Sequence, residues 1–392
     1  MISINTARKW DRLLGIPICY AISLLRLFRR KRKFDRTKIS NITVIKMWGV
    51  GSLVLAGKTL HALKTNFPDA KINLVTLETN RGLYDFNPEI HTIYYFSIQT
   101  PLKLVFNTFK LLKWLWKTKP DLVVDLETAS RFTAIISFLS FRRITVGFSP
   151  AGSGKNIFDV NVPYHESVHV SELFLRCVDA LGLSFIKNTS LTIPVENASR
   201  VKVDNWIEAN GIGKFILINP NTSKLAIERL WPEHYFSELI TSISDFDHTL
   251  SIVLTGSADE KTRNEKIIEH TGKINGMVFN SAGIFSINEF ISLIQKAELM
   301  ITNDSGPAQL GFISNTPTIA LYGPETPLLY GAMDSDIHTN LSSFEPCSPC
   351  ISIFNDKVVY CTKNAVCMKN LTVETVFESF LKSISKKKKT GE

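Results

Sequence analysis

Apolar residues along this chain fall into two alternating kinds of run. Short β-branched blocks, too continuous to have one wet face, alternate with longer segments whose apolar positions recur at helical spacing. A parallel sheet covered on both faces needs that pattern. In the first half the blocks at 42–46, 72–77, 122–126 and 144–148 predict strands, with helices over 54–67 and 101–118 between them. The theme restarts at 215–219 and continues at 251–255, 277–279, 299–302 and 318–322, with helices over 232–244, 259–271 and 287–297. A polar, proline-containing stretch at 188–200 has no sustained helical period and reads as the linker between the halves.

The prediction is therefore an α/β chain with two Rossmann-like domains facing each other across a cleft, 41–190 and 191–378. A segment 1–40 precedes them and a basic tail, 379–392, follows. At 392 residues the chain is too long for one ordinary core, which agrees. Ligands of doubly wound sheets bind beyond the carboxyl ends of the strands, so the loops there are where chemistry is sought.

Charge sharpens the picture at the amino terminus. Residues 1–40 carry eleven Lys or Arg against two Asp and so account for the whole chain's net +9, leaving a balanced body that does not suit nucleic acid. An apolar run at 13–25 is followed at once by a basic cluster that includes Arg29, Arg30, Lys31, Arg32 and Lys33. Thirteen residues are too few to cross a bilayer, which takes about 20. Two readings stay open: a helix lying in an anionic membrane surface, or a helix packed on the body beside a solvated charge run. Six cysteines in a chain this long do not make a secreted disulfide scaffold. The expected location is cytoplasmic, peripheral on the cytoplasmic face of the inner membrane.

Several strand-end loops carry candidate chemistry. The first strand runs into Met47, Trp48, Gly49, Val50, Gly51 and Ser52, either a loop whose amides approach an anion or a tight turn with Ser52 as the helix cap. In the second half, Asp304, Ser305 and Gly306 follow a strand and open an apolar helix, the makings of a phosphate site. The next strand ends in a similar loop, 321–327. Asn221 and Thr222 lie in a polar loop after the half's first strand, and Arg229 stands just ahead of Trp231 and Pro232, where a diphosphate would find countercharge. No DxD-like run closes a strand, so catalysis is expected to need no metal and no cofactor. Cys347, Cys350, Cys361 and Cys367 are compact enough for a structural zinc, a redox-sensitive pair or plain packed thiols. His165 and His169 are spaced to share one face of a helix, near Glu166 and Glu172.

Taken in order, VIKMWGVGSLVLAGKTL, DLVVDLETASRF, INPNTS, RLWPEHYFSEL, IVLTGS, AELMITNDSGPAQLGF, TPTIALYGPETP and PCSPC resemble glycosyltransferase family 9, the lipopolysaccharide heptosyltransferase family, over about residues 42–375. The resemblance implies a GT-B fold and inverting transfer from ADP-heptose, or a related nucleotide sugar, to a lipid-linked glycan. Asp304, Ser305 and Gly306 match the donor-phosphate loop, and Arg229 matches the basic residue before Trp-Pro. Gly256 and Glu260 match the region that reaches the nucleoside. Gly49, Gly51 and Gln309 complete the expected donor-binding set, and Ser52, Arg229 and Asp304 the expected catalytic set. The chain departs from the family pattern at Ser52, where an Asp serves as base on the acceptor hydroxyl, and at Gln309, where a His is usual. Serine needs a base of its own at neutral pH. Glu127, Glu78 and His169 are therefore alternative bases by position. The rival readings are a family member that binds a nucleotide sugar or glycan without transfer, and a two-domain epimerase.

Overall fold

The computed structural model describes residues 4–28, 34–140, 144–150, 157–187, 189, 191–223, 226–272, 274, 276–353, 359 and 361–390. The basic cluster at 29–33 and positions 188 and 190 of the expected linker lie outside them. The chain divides into two compact units, Met1–Leu191 and Thr192–Glu392.

The first unit runs α1 (Ile4–Leu27), β1 (Asn41–Ile45), α2 (Val50–Leu55), α3 (Gly57–Asn66), β2 (Lys71–Leu77), β3 (Thr92–Phe96) and α4 (Pro101–Thr118). It continues with β4 (Leu122–Asp125), α5 (Arg131–Leu139), β5 (Ile144–Phe148), β6 (Val160–Val162) and α6 (Val170–Asp179). Its six strands are all parallel, in the order β3-β2-β1-β4-β5-β6.

The second unit runs α7 (Asn197–Ala209), β7 (Phe215–Asn219), α8 (Glu233–Phe246), β8 (Ser251–Leu254), α9 (Lys261–His270), β9 (Val278–Asn280) and α10 (Ile287–Lys296). Then follow β10 (Met300–Asn303), α11 (Gly306–Ile313), β11 (Thr318–Tyr322), α12 (Pro327–Tyr330), β12 (Thr339–Ser342), α13 (Val366–Lys369) and α14 (Val373–Thr390). Its order, β12-β11-β10-β7-β8-β9, repeats the first sheet's, again all parallel. Each unit is thus a doubly wound α/β sheet, and the fold is of the GT-B class.

Central strands such as β4 (LVVD) and β7 (FILIN) are buried at every position, because helices cover both faces of a parallel sheet. In the second unit one core joins Trp231, Phe236 and Ile240 to strand residues such as Ile218 and Ile301 and to Val376 and Phe380 of α14. Residues 379–386 of the expected basic tail therefore belong to a helix whose apolar side is packed, not to a loose extension. The linker expected at 188–200 likewise gives way to a helix at Asn197.

The amino-terminal helix is longer than its apolar run predicts, and it is docked. Cys19 and Ile22 pack with Ala134, Ile157 and Phe158, and Gly15 lies so close to α5 that a β-carbon there would meet Arg131 Cβ at 2.7 Å. The Asp11 carboxylate accepts from Phe132 N at 2.8 Å and from Arg131 Nη1 at 3.1 Å, capping α5 from another helix. Arg26 Nη1 pairs with Asp159 at 2.7 Å. The apolar run belongs to a packed helix, as one of the two open readings held, and its outer side still carries exposed Leu13, Leu14, Leu24 and Leu25.

Candidate functional site

Each sheet has a switch point where the strand order reverses, between β1 and β4 in the first unit and between β7 and β10 in the second. Ligands of such folds lie just outside the carboxyl ends of the strands at this point.

In the second unit the buried strand β7 opens into Pro220, Asn221 and Thr222, and β10 opens into Asp304. Asn303 ties these segments together. Its Nδ2 donates to Pro220 O at 2.9 Å, and its Oδ1 accepts from Trp231 N at 3.1 Å. The Trp231 ring is fully buried and its Nε1 donates to Leu371 O at 2.7 Å. The segment before α8 is thereby pinned against the switch point, which brings Arg229 Nη1 to 3.4 Å from Asp304 Oδ2. Arg229 Nη2 also donates to Ser223 Oγ at 2.9 Å.

Asp304 is itself buried, and its N donates to Leu321 O at 2.9 Å. A carboxylate cannot contact a phosphate anion favourably, so its physical role here is to orient the Arg229 fork. Ser305 caps α11 only by its extended backbone. Its hydroxyl donates instead to Asn303 O at 3.1 Å, so the Ser305 side chain does not occupy the first-turn amides. Pro307 in that turn lacks a donor the helix would not have used.

Among the described residues, three buried polar atoms around this point have no partner: Asn221 Oδ1, Thr222 Oγ1 and Arg229 Nε. Asn221 is 3% exposed, and its Nδ2 is already committed to Thr255 O and Asn264 Oδ1, both at 3.0 Å. Buried polar groups are almost always paired. An unpaired acceptor, a hydroxyl and a guanidinium N–H beside an uncapped helix start suit a ligand with both anionic and hydroxyl or amino groups. A phosphorylated nucleoside has both.

Gly256 closes this wall from β8: a β-carbon there would lie 2.7 Å from Asn221 Nδ2 and 3.0 Å from Glu260 Oε2. Glu260 Oε2 accepts from Ser257 N at 2.7 Å in a capping box, so this oxygen holds the loop itself in place. Gln309 Nε2 donates to Tyr330 O at 2.6 Å, a carbonyl that also accepts from Tyr322 OH at 2.9 Å. These bonds tie the Gln309 amide nitrogen to the carboxyl end of α12. Burial, with Asp304 and Glu325 nearby, pushes the Tyr322 phenol well above its usual range and keeps it neutral.

In the first unit Gly49, not Ser52, caps α2, at φ 80. That left-handed backbone favours glycine. Ser52 sits inside the first turn, and its Oγ is 3.5 Å from where a Gly49 β-carbon would stand. Glu127, expected as an alternative base, is bound up: one oxygen, Oε1, accepts from Lys46 Nζ at 2.8 Å, Met47 N at 2.7 Å and Trp48 N at 2.8 Å. It fixes the β1 loop across the switch point. Glu78 is half exposed and paired with Arg81 Nε at 2.8 Å.

His165 and His169 do not share a helix face, because α6 begins only at Val170. His169 is its cap, with Nδ1 accepting from Ser171 N at 3.3 Å. All six cysteines are free thiols. Among the described residues no three His, Cys, Asp or Glu side chains are grouped to hold a metal ion. Cys367 is a packed thiol under Gly323, its pKa pushed up to about 11, mainly by burial.

Asn303, Trp231 and Asn264 were not foreseen as organisers. Asn303 stands beside Asp304 and could have been read with it. Nothing local marks Asn264, which contacts the site from α9.

A family model described as glycosyltransferase family 9 (heptosyltransferase) matches residues 108–358. The chain is 26% identical over 280 residues to lipopolysaccharide heptosyltransferase 3 of Escherichia coli, covering 70% of this chain and 80% of that protein. It is 25% identical over 334 residues to lipooligosaccharide heptosyltransferase 2 of Campylobacter jejuni, covering 84% and 93%. Its fold is similar to the family 9 glycosyl transferase of Veillonella parvula, with a TM-score of 0.73 and 19% identity over 91% of this chain and 98% of that one. The ADP-heptose lipopolysaccharide heptosyltransferase II of Escherichia coli gives 0.70 and 18%, over 89% and 99%.

Proposed function

The chain belongs to glycosyltransferase family 9, the heptosyltransferases, and from that membership we propose that it transfers a heptose or related sugar from ADP-heptose to a lipopolysaccharide or other surface glycan, with inversion. The observation that carries the reading is the set of unpaired buried atoms at the β7/β10 switch point: Asn221 Oδ1, Thr222 Oγ1 and Arg229 Nε. Asn221 and Thr222 take the hydroxyl or amino groups of the nucleoside. Arg229 and the first-turn amides of α11 take the diphosphate, whose charge grows as the glycosidic bond breaks. Fixed donors aimed at developing charge are the largest single source of rate that such a site has. In an inverting displacement the acceptor hydroxyl attacks the anomeric carbon from the face opposite the departing diphosphate and gives up its proton to a base, and the products are ADP and the glycosylated acceptor.

We place the protein at the cytoplasmic face of the inner membrane, held to anionic lipid by its amino-terminal segment. The basic excess of residues 1–40 and the exposed leucines of α1 support this. No described helix is long and apolar enough to cross a membrane.

Calorimetry with ADP, UDP, GDP, dTDP and their common sugar conjugates tests the donor. ADP should bind selectively, and Arg229→Ala should weaken it at least about tenfold. Equal binding of all four, or none, would overturn the donor assignment. Ser52, in place of an aspartate, favours a second reading in which donor binds without transfer. Acceptor-dependent release of ADP separates the two.

A further inference from the structure

Two helices on the same face of the first sheet carry apolar outer sides. Register fixes the face. Thr145 of β5 pairs with Val123 of β4. Val123 packs with Leu111 and Leu115 of α4 and Ile136 of α5, while Thr145 Oγ1 accepts from Arg26 of α1 at 3.1 Å. The helix α5 touches both others, through Trp116 Nε1 to Leu139 O at 2.9 Å on one side and the Cys19, Ile22 and Ala134 cluster on the other. It therefore lies between them.

Along the outer side of α4, Leu102, Val105, Phe106, Phe109 and Trp116 are exposed, Leu102 to 82% and Phe109 to 65%. Their spacing of three, four and seven makes one stripe, and α4 has four lysines and no acid. The Lys110 ammonium lies 4.4 Å from the Phe106 ring centroid, at the border of the stripe. On α1, Trp10, Leu13, Leu14, Leu24 and Leu25 are exposed, and the helix's one acid, Asp11, is turned inward to cap α5. Two outward surfaces built of aromatic and aliphatic side chains, fringed by cations and cleared of acids, match an anionic bilayer interface in both chemistry and charge.

We infer that α4 is a second membrane-embedded element, and that α1 and α4, held by α5 between them, form one rigid platform that seats the first unit on anionic lipid. The inference rests on the proposed membrane attachment and extends it from the amino-terminal segment to a helix some eighty residues away in sequence. A platform with two fixed contacts sets the orientation of the first unit on the lipid, which a single flexible tether would leave free. That orientation matters for an acceptor anchored in the same lipid.

The test is co-sedimentation of the full chain with vesicles of phosphatidylcholine containing about 30% phosphatidylglycerol, and with phosphatidylcholine alone, since polybasic surfaces respond to anionic lipid. Three paired substitutions are compared: Phe106→Ser with Phe109→Ser, Lys110→Glu with Lys113→Glu, and Leu13→Ser with Leu24→Ser. All six side chains are exposed, so the fold does not depend on them. Each pair should lower partitioning into anionic vesicles at least about tenfold. If the α1 pair loses binding while both α4 pairs bind as wild type does, the α4 inference falls and the amino-terminal anchor stands. If no pair changes binding, both fall. If the phenylalanine pair instead abolishes a concentration-dependent dimer seen without lipid, the stripe is a contact between copies and the inference is overturned.

Discussion

The two switch points share a topology and differ in what they leave undone. In the first unit, Glu127 closes the gap between β4 and β1 by taking three donors on one oxygen, including a buried ammonium. In the second, Asn303 and the pair between Arg229 and Asp304 bridge β10 and β7, and three buried polar atoms remain unpaired around them. One loop is tied down by a single carboxylate oxygen, while at the other three buried polar atoms find no partner among the described residues. The difference is one of pairing, which loop composition alone does not reveal.

The largest test of this contrast is Glu127→Ala. It strands the Lys46 ammonium, whose side chain is 5% exposed, and breaking a buried pair in this way costs about 3–5 kcal/mol. The thermal midpoint should drop steeply, yet at temperatures where the variant is folded its ADP affinity should match wild type. A lost ADP site in a folded variant would mean that the two switch points are not independent.

Close behind comes pH. Burial raises the pKa of Asp125, the strand-end residue before Glu127, from 3.8 to about 7, and nearby Glu127 adds to the rise. The folded state holds a proton that the unfolded chain releases, so this stability is full below about pH 4 and is lost as pH rises through about 7, on the order of 4 kcal/mol in all. Asp125→Asn should flatten that slope in urea unfolding at pH 4.5 and 7.5. An unchanged slope would show that Asp125 is ionised in the folded protein.

In the second unit the matching effect comes from the ligand. ADP at about a hundred times its Kd should stabilise the fold by about 2.7 kcal/mol. Arg229→Ala should erase most of that gain, measured as the shift in thermal midpoint on adding ADP. A full shift in the variant would move the diphosphate away from Arg229.

How far the sequence alone reaches follows the same physics. The central strands of both sheets are legible because burial on two faces demands continuous apolar runs, and β1, β2, β4, β7, β8, β10 and β11 meet that demand. The strands missed are β3, β6 and β12, all at sheet edges where burial is partial; VNV and TNLS make no unbroken apolar run, and TIYYF, which does, is mostly half-exposed. Asp304 and Arg229 are legible because each follows or precedes a strong local signal, a strand end or a Trp-Pro helix start. The anchoring role of Glu127 is not, because its partners lie eighty residues earlier. A carboxylate after a strand looks the same whether it awaits a substrate or holds a neighbouring loop. Histidines at i and i+4 suggested a helix face, but the His169 ring is used as a cap and the helix starts after it.

The smallest expected effect falls on Ser52, and it bears most directly on whether the first unit's loop takes part in chemistry. A serine at this place cannot remove a proton unless a base is hydrogen-bonded to it, and no side chain among the described residues bonds to its Oγ. Ser52→Ala should therefore change kcat for acceptor-dependent ADP release by less than about twofold, where loss of a working general base costs about 10²–10⁴. Ser52→Asp supplies a carboxylate at the same point of the α2 first turn, near a helix start that favours negative charge. If proton removal limits the rate, Ser52→Asp should speed transfer. If Ser52→Ala alone lowers kcat a hundredfold, the loop acquires a base when substrate is bound, and the contrast between a closed first switch point and an open second one no longer holds.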